Sequence, residues 1–250
     1  MMNSFLELIS LAFLGSMAGL IGGVIFLVKK DWARKLSKLA VPFASGVLLS
    51  VSILHLIPEA EELIGEISYL YVLLAFLVSF IFEQFFTTLH HHEDRKSTIL
   101  KTTVPLVIVG DTIHNFIDGV AIAAAYLNDP AFGLIVALAT FFHETPHEIG
   151  DFGVLISSGW SRSKTFIANA LSASATFPGA LFVFFFNQDI NNSLGLLLAV
   201  SAGVFLYLGA SDFLPEIGEE KNKMRVWKQT LLVVAGAGVM YFLTFLTPEP

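Results

Sequence analysis

Long apolar runs alternate with short polar stretches along almost the whole chain. A hydrocarbon core about 30 Å thick takes roughly 20 apolar residues per crossing helix. A window of that length predicts eight transmembrane helices, near Ser4–Val28, Leu39–Ile57, Ser68–Phe86, Thr102–Tyr126, Phe132–Ser157, Thr165–Phe186, Ser193–Ser211 and Trp227–Leu246. The expected fold is therefore all-α and integral to a membrane. It forms a single transmembrane domain over residues 1–250, with a cytoplasmic, His-containing loop at about 87–101. The first run lacks a basic flank and a small-residue cleavage pattern and is too long for a signal peptide, so it reads as a retained helix.

Composition sharpens this picture. Hydrophobic residues make up 55% of the 250 and charged residues only 14%, against about 25% charged in a soluble domain. Cysteine is absent, which excludes a disulfide framework and a thiolate metal site. The net charge of −7 says less than where the basic residues fall. Lys29, Lys30, Arg34, Lys35 and Lys38 follow helix 1, and Arg95, Lys96 and Lys101 follow helix 3. Arg162 and Lys164 follow helix 5, and Lys221, Lys223, Arg225 and Lys228 follow helix 7. These are all 14 Lys and Arg residues, and they occupy alternate connections. The positive-inside rule then puts both termini outside the cytoplasm, with the plasma membrane as the expected location.

An internal repeat accompanies the eight runs. Gly46, Val47, Leu49, Pro58, Glu59 and Glu62 match Gly203, Val204, Leu206, Pro215, Glu216 and Glu219 at one constant offset, and His55 faces Asp212. Helix 2 ends outside and helix 7 inside, so the copies run in opposite directions. This predicts an inverted repeat of helices 1 to 3 and 6 to 8 around a central helix 4/5 pair, an organisation common in transporters.

That central pair carries most of the polar residues at mid-membrane depth. Helix 4 contains Asp111, His114, Asn115 and Asp118 within DTIHNFIDG; helix 5 contains His143, Glu144, His147, Glu148 and Asp151 within HETPHEIGD. Spacings of three and four residues place each set on one helical face. Buried polar groups cost about 2.5–3.5 kcal/mol each on insertion scales, and hydrogen bonding between two helices needs far fewer charges. Imidazoles combined with carboxylates suit a borderline divalent cation: zinc fits, as do iron(II), manganese and cobalt. Toward the outer side helix 4 continues as Val120, Ala121, Ile122, Ala123 and Ala124. No polar stripe of the kind an open channel needs continues there.

HNFIDG followed by HETPHEIGDF resembles the paired signatures of the ZIP (Zrt/Irt-like) family of divalent metal-ion transporters. It is most similar to the branch whose helix 5 reads H-E-x-P-H-E-x-G-D. The resemblance implies that His114, Asn115, Asp118, His143, Glu144 and His147 bind a pair of adjacent metal ions in a binuclear site. It implies transport into the cytoplasm, with Zn2+ as the foremost cargo and Fe2+, Mn2+ or Cd2+ as further ones. Thr145 departs from the aliphatic residue more usual at its position.

His143, Glu144 and His147 also satisfy H-E-x-x-H, so an intramembrane zinc metalloprotease is the alternative. Pro146 inside the motif, and the surplus of ligands on helix 4, argue against it. Asp111, Glu148 and Asp151 are assigned to an outer shell or pathway, and His55 and Asp212 to entry and exit stations or to wet helix ends. His90, His91 and His92 are assigned to a loose cytoplasmic metal-binding tract. The expected partners are divalent metal ions and the lipid bilayer, with no nucleic acid; a homodimer is left open.

Overall fold

The computed structural model describes residues 2–90, 96–190, 194–215 and 223–244. Among these residues the chain is helical without strands and forms eight rods. Rod 1 is α1 (Met2–Ala12), a π-helical turn (Phe13–Met17) and α2 (Ile21–Val28). Rod 2 is α3 (Lys30–Val51), a π turn (Ser52–Leu56) and α4 (Ile57–Ile64). Rods 3, 4 and 5 are α5 (Ile67–His90), α6 (Lys96–Asn128) and α7 (Pro130–Ser157). Rod 6 joins α8 (Arg162–Ala173) to α9 (Thr176–Ile190); rod 7 is α10 (Leu194–Tyr207) with a π turn (Leu208–Phe213); rod 8 is α11 (Lys223–Thr244).

Six of these rods are long and apolar enough to cross a membrane, where eight were expected. The two that fall short are α6 and α7, whose 33 and 28 residues exceed the length required. Their middles carry the Asp, Glu, His and Asn residues of the polar cluster, which lower the mean hydropathy of any window that includes them. The rods differ in depth as well. Of the apolar window of rod 2, 67% is buried, against 17% in rod 3 and 11% in rod 8. Rods 3 and 8 therefore form the rim, exposing Leu73, Val78, Ile81, Val234 and Phe242 as an apolar surface suited to a membrane protein.

Two boundaries differ from expectation. The basic run after helix 1 is not a loop, because α3 begins at Lys30; Lys, Arg, Ala and Leu favour helix over the alternatives. Of the loop expected at 87–101, residues 87–90 belong to α5 and 96–101 to α6. His91 and His92 lie outside the described residues, and His90 ends α5.

The helix irregularities follow the repeat. Pro58 has no amide to donate and crowds the carbonyl four residues earlier, at Leu54 inside the first-copy π turn. Pro215 does the same to Ser211 inside the matching turn of rod 7. Pro178 likewise disfavours a regular carbonyl at Ser174, where rod 6 breaks between α8 and α9. By contrast α7 passes through Pro146, and α3 through Pro42, without interruption.

Close helix contacts reveal how the rods are grouped. A Cβ on Gly46 of rod 2 would sit 2.0 Å from the Val233 carbonyl oxygen of rod 8, and one on Gly203 of rod 7 would sit 2.4 Å from that of Val72 in rod 3. These glycines are repeat mates, so rod 2 packs on rod 8 as rod 7 packs on rod 3. The same holds nearer the centre. Gly22 of rod 1 abuts the Thr145 carbonyl of α7 and Gly179 of rod 6 abuts the Phe116 carbonyl of α6, at 2.2 and 2.1 Å from a Cβ. The repeat thus extends to the central pair, α6 being the counterpart of α7 at an offset of 29, as between His114 and His143. Ser16 donates to the carbonyl of Ala173, its own mate 157 residues away, at 2.8 Å.

These contacts divide the rods into two groups of four. Rods 1, 4, 5 and 6 share the approaches at Gly15, Gly19, Gly22, Gly119 and Gly179 and the hydrogen bonds among Ser16, Asn115 and Thr176. Rods 2, 3, 7 and 8 share those at Gly46, Gly203, Gly209 and Gly236 and the bonds Ser45–Gly209, Ser50–Ala237 and Tyr207–Glu83. Side chains meet across the boundary as rings and aliphatic groups, for example Phe43 on Phe142 at 5.1 Å and His143 on Phe205 at 5.3 Å between centroids.

Candidate metal site

The polar faces of α6 and α7 meet. His114, Asp118, His143 and Glu144 each bring one donor atom within 4.8 Å of those of the other three. His114 Nε2 is 3.2 Å from His143 Nε2, 3.0 Å from Glu144 and 3.6 Å from Asp118. His143 Nε2 is 3.2 Å from Asp118 and 3.5 Å from Glu144. Asp118, His143 and Glu144 are fully buried, whereas the His114 side chain is 12% exposed.

The spacing is chemically informative. Four ligands at zinc's usual 2.0–2.1 Å form a tetrahedron with edges of about 3.3–3.4 Å, and the five edges named above run from 3.0 to 3.6 Å. Protonation points the same way. His143 Nδ1 lies 3.1 Å from the Ala139 carbonyl; donating there leaves the Nε2 lone pair facing the cluster. Two carboxylates and the His143 lone pair then face the cluster as acceptors beside His114 Nε2, an arrangement that a dication can satisfy. Asp118 Oδ1 and Glu144 Oε2 are buried without a protein partner, which is costly in a low-dielectric interior unless a cation or proton answers them.

The other expected ligands are arranged differently. The His147 ring stacks on His114 at 5.2 Å and 25°, packs 5.3 Å from Phe213, and keeps Nε2 buried without a partner. Asn115 is fully buried, but its amide is engaged. Its oxygen accepts from Ser16 at 2.6 Å and from Thr176 at 3.2 Å, and its nitrogen donates to the Asp111 carboxylate at 2.9 Å. In this conformation Asn115 orients Asp111 and does not join the four. Ser16 and Thr176 escaped the sequence reading, since single hydroxyls in apolar helices carry no periodic signal.

The space around the site is asymmetric. Toward the carboxy-terminal end of α6 and the amino-terminal end of α7, residues 121–125 of α6 are completely buried and pack with Leu48, Val51, Val136 and Ala139. Toward the basic end a cavity of about 490 Å³ reaches Asp111, His114, His147 and Asp151, with Ser79, Glu83, Val204 and Tyr207 on its far walls. Glu148 is buried beside this region, both carboxylate oxygens lacking partners. His55 is apart from the site, stacked on Phe132 and 3.3 Å from the Met240 carbonyl; it is buried, not a wet helix end. The Asp212 side chain lies outside the described residues.

Such an all-helical bundle, with six rods long and apolar enough to cross a membrane and a buried His/carboxylate cluster that could hold a metal ion, is of the membrane-protein class. The family model of the ZIP zinc transporters matches residues 5–104 and 90–244, and the chain belongs to that family. It is 37% identical over 139 residues to "Zinc transporter foi" of Drosophila melanogaster, covering 55% of this chain and 20% of that protein. Human "Zinc transporter ZIP10" is 41% identical over 128 residues, 51% of this chain and 15% of its own. Human "Zinc transporter ZIP4" is 37% identical over 138 residues, 55% of this chain and 21% of its own. The chain thus spans about a fifth or less of these curated relatives. The protease alternative gains no support, since the H-E-x-x-H residues stand within a match to a transporter family.

Proposed function

We propose that this chain carries divalent metal ions, zinc foremost, across the plasma membrane into the cytoplasm. The observation that carries this reading is the close set of His114, Asp118, His143 and Glu144 donors, buried midway along two membrane-length helices. His147 and Asn115 complete the proposed ligand set. His147 has a free nitrogen next to the four, and Asn115 would serve a second, adjacent ion after exchanging its Ser16 bond. Asp111, Glu148 and Asp151 form the route onward. The helix 5 sequence HETPHEIGD supports the H-E-x-P-H-E-x-G-D branch of the family. Iron(II), manganese and cadmium share enough of zinc's ligand chemistry to be admitted as cargo.

On this reading all eight rods cross the bilayer. The polar faces of α6 and α7 are hidden inside, and both termini lie outside by the distribution of basic residues. The sealed alanine-rich end is then the outer one and the cavity opens inward. Transport proceeds by alternating access, with the four rods that hold the site moving against the other four across the apolar boundary. The test is zinc flux into sealed liposomes containing the purified chain, followed with an entrapped zinc indicator. Saturable flux that His143→Ala and Glu144→Ala each abolish is expected; undiminished flux in either variant refutes the assignment.

A further inference from the structure

We propose that Glu59 and Asn128 form a latch that pins the two four-rod groups together at the outer end. This inference rests on the alternating-access reading above. Asn128 Nδ2 donates to Glu59 Oε1 at 2.6 Å. The bond joins rod 4 to rod 2, whereas the other inter-rod side-chain hydrogen bonds described above stay within one group. Elsewhere along the boundary the contacts described above are between rings, such as Phe43 on Phe142, which can slide past one another without losing a fixed partner.

Both partners are held rigidly on their own side. Asn128 is the last residue of α6, one residue before Asp129, which caps α7 by accepting from the Phe132 amide at 2.9 Å. Two residues earlier Tyr126 donates to Glu7 of rod 1 at 2.7 Å. The tips of rods 1, 4 and 5 therefore move with Asn128. Glu59 stands in the first turn of α4, directly after Pro58. The same short helix is tied to rod 3 by the Tyr69 hydroxyl, which donates to Glu61 at 2.5 Å. A pull on Glu59 thus acts on rods 2 and 3 together. Both residues are half-buried, so water competes only partly for a bond made stronger by the carboxylate's charge.

Opening the outer end must separate these residues, so the bond favours the inward-facing arrangement seen here. A charge-assisted bond of this kind is worth about tenfold or somewhat more in an equilibrium between two states. The chain has no native cysteine, so single reporters need no prior substitution. Val136→Cys, on the buried outer part of α7, reports outer opening; Val204→Cys, on the cavity wall, reports inner opening. Each is labelled in liposomes of known orientation with a membrane-impermeant maleimide, from either side, in the native background and with Asn128→Ala or Glu59→Gln.

With the latch intact, the inner reporter reacts and the outer one does not. Asn128→Ala is expected to raise outer labelling about tenfold and lower inner labelling, with Glu59→Gln, which keeps an acceptor but loses the charge, giving a smaller change in the same direction. A one-sided native protein whose rates neither variant shifts overturns the latch and leaves alternating access standing. Increased labelling at both faces together also overturns it, because that is loosening and not a shift. Native protein open to both faces at once overturns alternating access and the latch with it.

Discussion

The Nε2 atoms of His114 and His143 lie 3.2 Å apart, and the contact joins the polar face of α6 to that of α7. On the proposed reading each imidazole supplies one ligand to the same ion. His114→Ala and His143→Ala are expected to weaken zinc binding to similar degrees, by at least about 100-fold, since each deletes a direct ligand where loss of a mere outer partner already costs 10–100-fold. Calorimetric titration of the purified chain checks this. Wild-type affinity in either variant would remove that residue from the site.

The buried carboxylates predict a reversal of sign. Asp118 and Glu144 are both fully buried, with donor atoms within 4.8 Å, and like charges so placed repel unless a cation lies between them. Zinc at 100 times its dissociation constant should stabilise the native chain by about 2.7 kcal/mol through mass action. Asp118→Asn should lose most of that increment while melting higher than the native chain once zinc is chelated. Thermal melts with zinc and with chelator separate the two effects; a variant less stable than native under both conditions would mean that Asp118 is a structural residue.

Ser16 offers a test of what the sequence did not disclose. Its hydroxyl meets both Asn115 and the Ala173 carbonyl with no exposure to solvent. Ser16→Ala leaves these acceptors short of a donor and should cost about 1–3 kcal/mol. Zinc-dependent stabilisation should persist, because the four close ligands do not depend on Asn115. A melting point equal to native would show that Thr176 alone suffices to hold the amide.

The all-helical, membrane-type character was legible because the length of an apolar run is a direct consequence of the bilayer. The ligand faces of α6 and α7 were legible too, since spacings of three and four residues put His114 with Asp118 and His143 with His147 whatever surrounds them. Tertiary choices were not. Nothing in the spacing distinguishes Asn115, whose amide turns to Ser16, from Asp118, whose carboxylate turns to His143. The long basic start of α3 was hidden for a different reason: hydropathy locates the apolar core of a helix and not its solvated end. The π turns at Ser52–Leu56 and Leu208–Phe213 were signalled only by their prolines. Proline alone does not fix the outcome, as the uninterrupted α7 around Pro146 demonstrates.

The glycines give the sharpest prediction about stability. In a membrane there is little hydrophobic gain from bringing helices together, so backbone proximity and its dispersion contacts carry much of the association. Gly22 and Gly179 are repeat mates, and a Cβ on either would lie 2.2 or 2.1 Å from a backbone carbonyl oxygen, of Thr145 or Phe116. Those carbonyls belong to the two helices that hold the metal ligands and cannot step aside without moving them. Gly110 and Gly150 sit on the same two helices with nothing within 4 Å of a Cβ. Alanine should therefore act oppositely at the two kinds of position. At Gly22 and Gly179 it should destabilise by about 1–3 kcal/mol or more through overpacking, with zinc affinity falling as α6 and α7 are pushed apart. At Gly110 and Gly150 it should be neutral or stabilise by about 0.5–1 kcal/mol through helix propensity. Melting of the four purified variants, each with a zinc titration, measures both consequences. If Gly22→Ala proves as harmless as Gly150→Ala, close packing of rod 1 on α7 is not what holds the ligands in place.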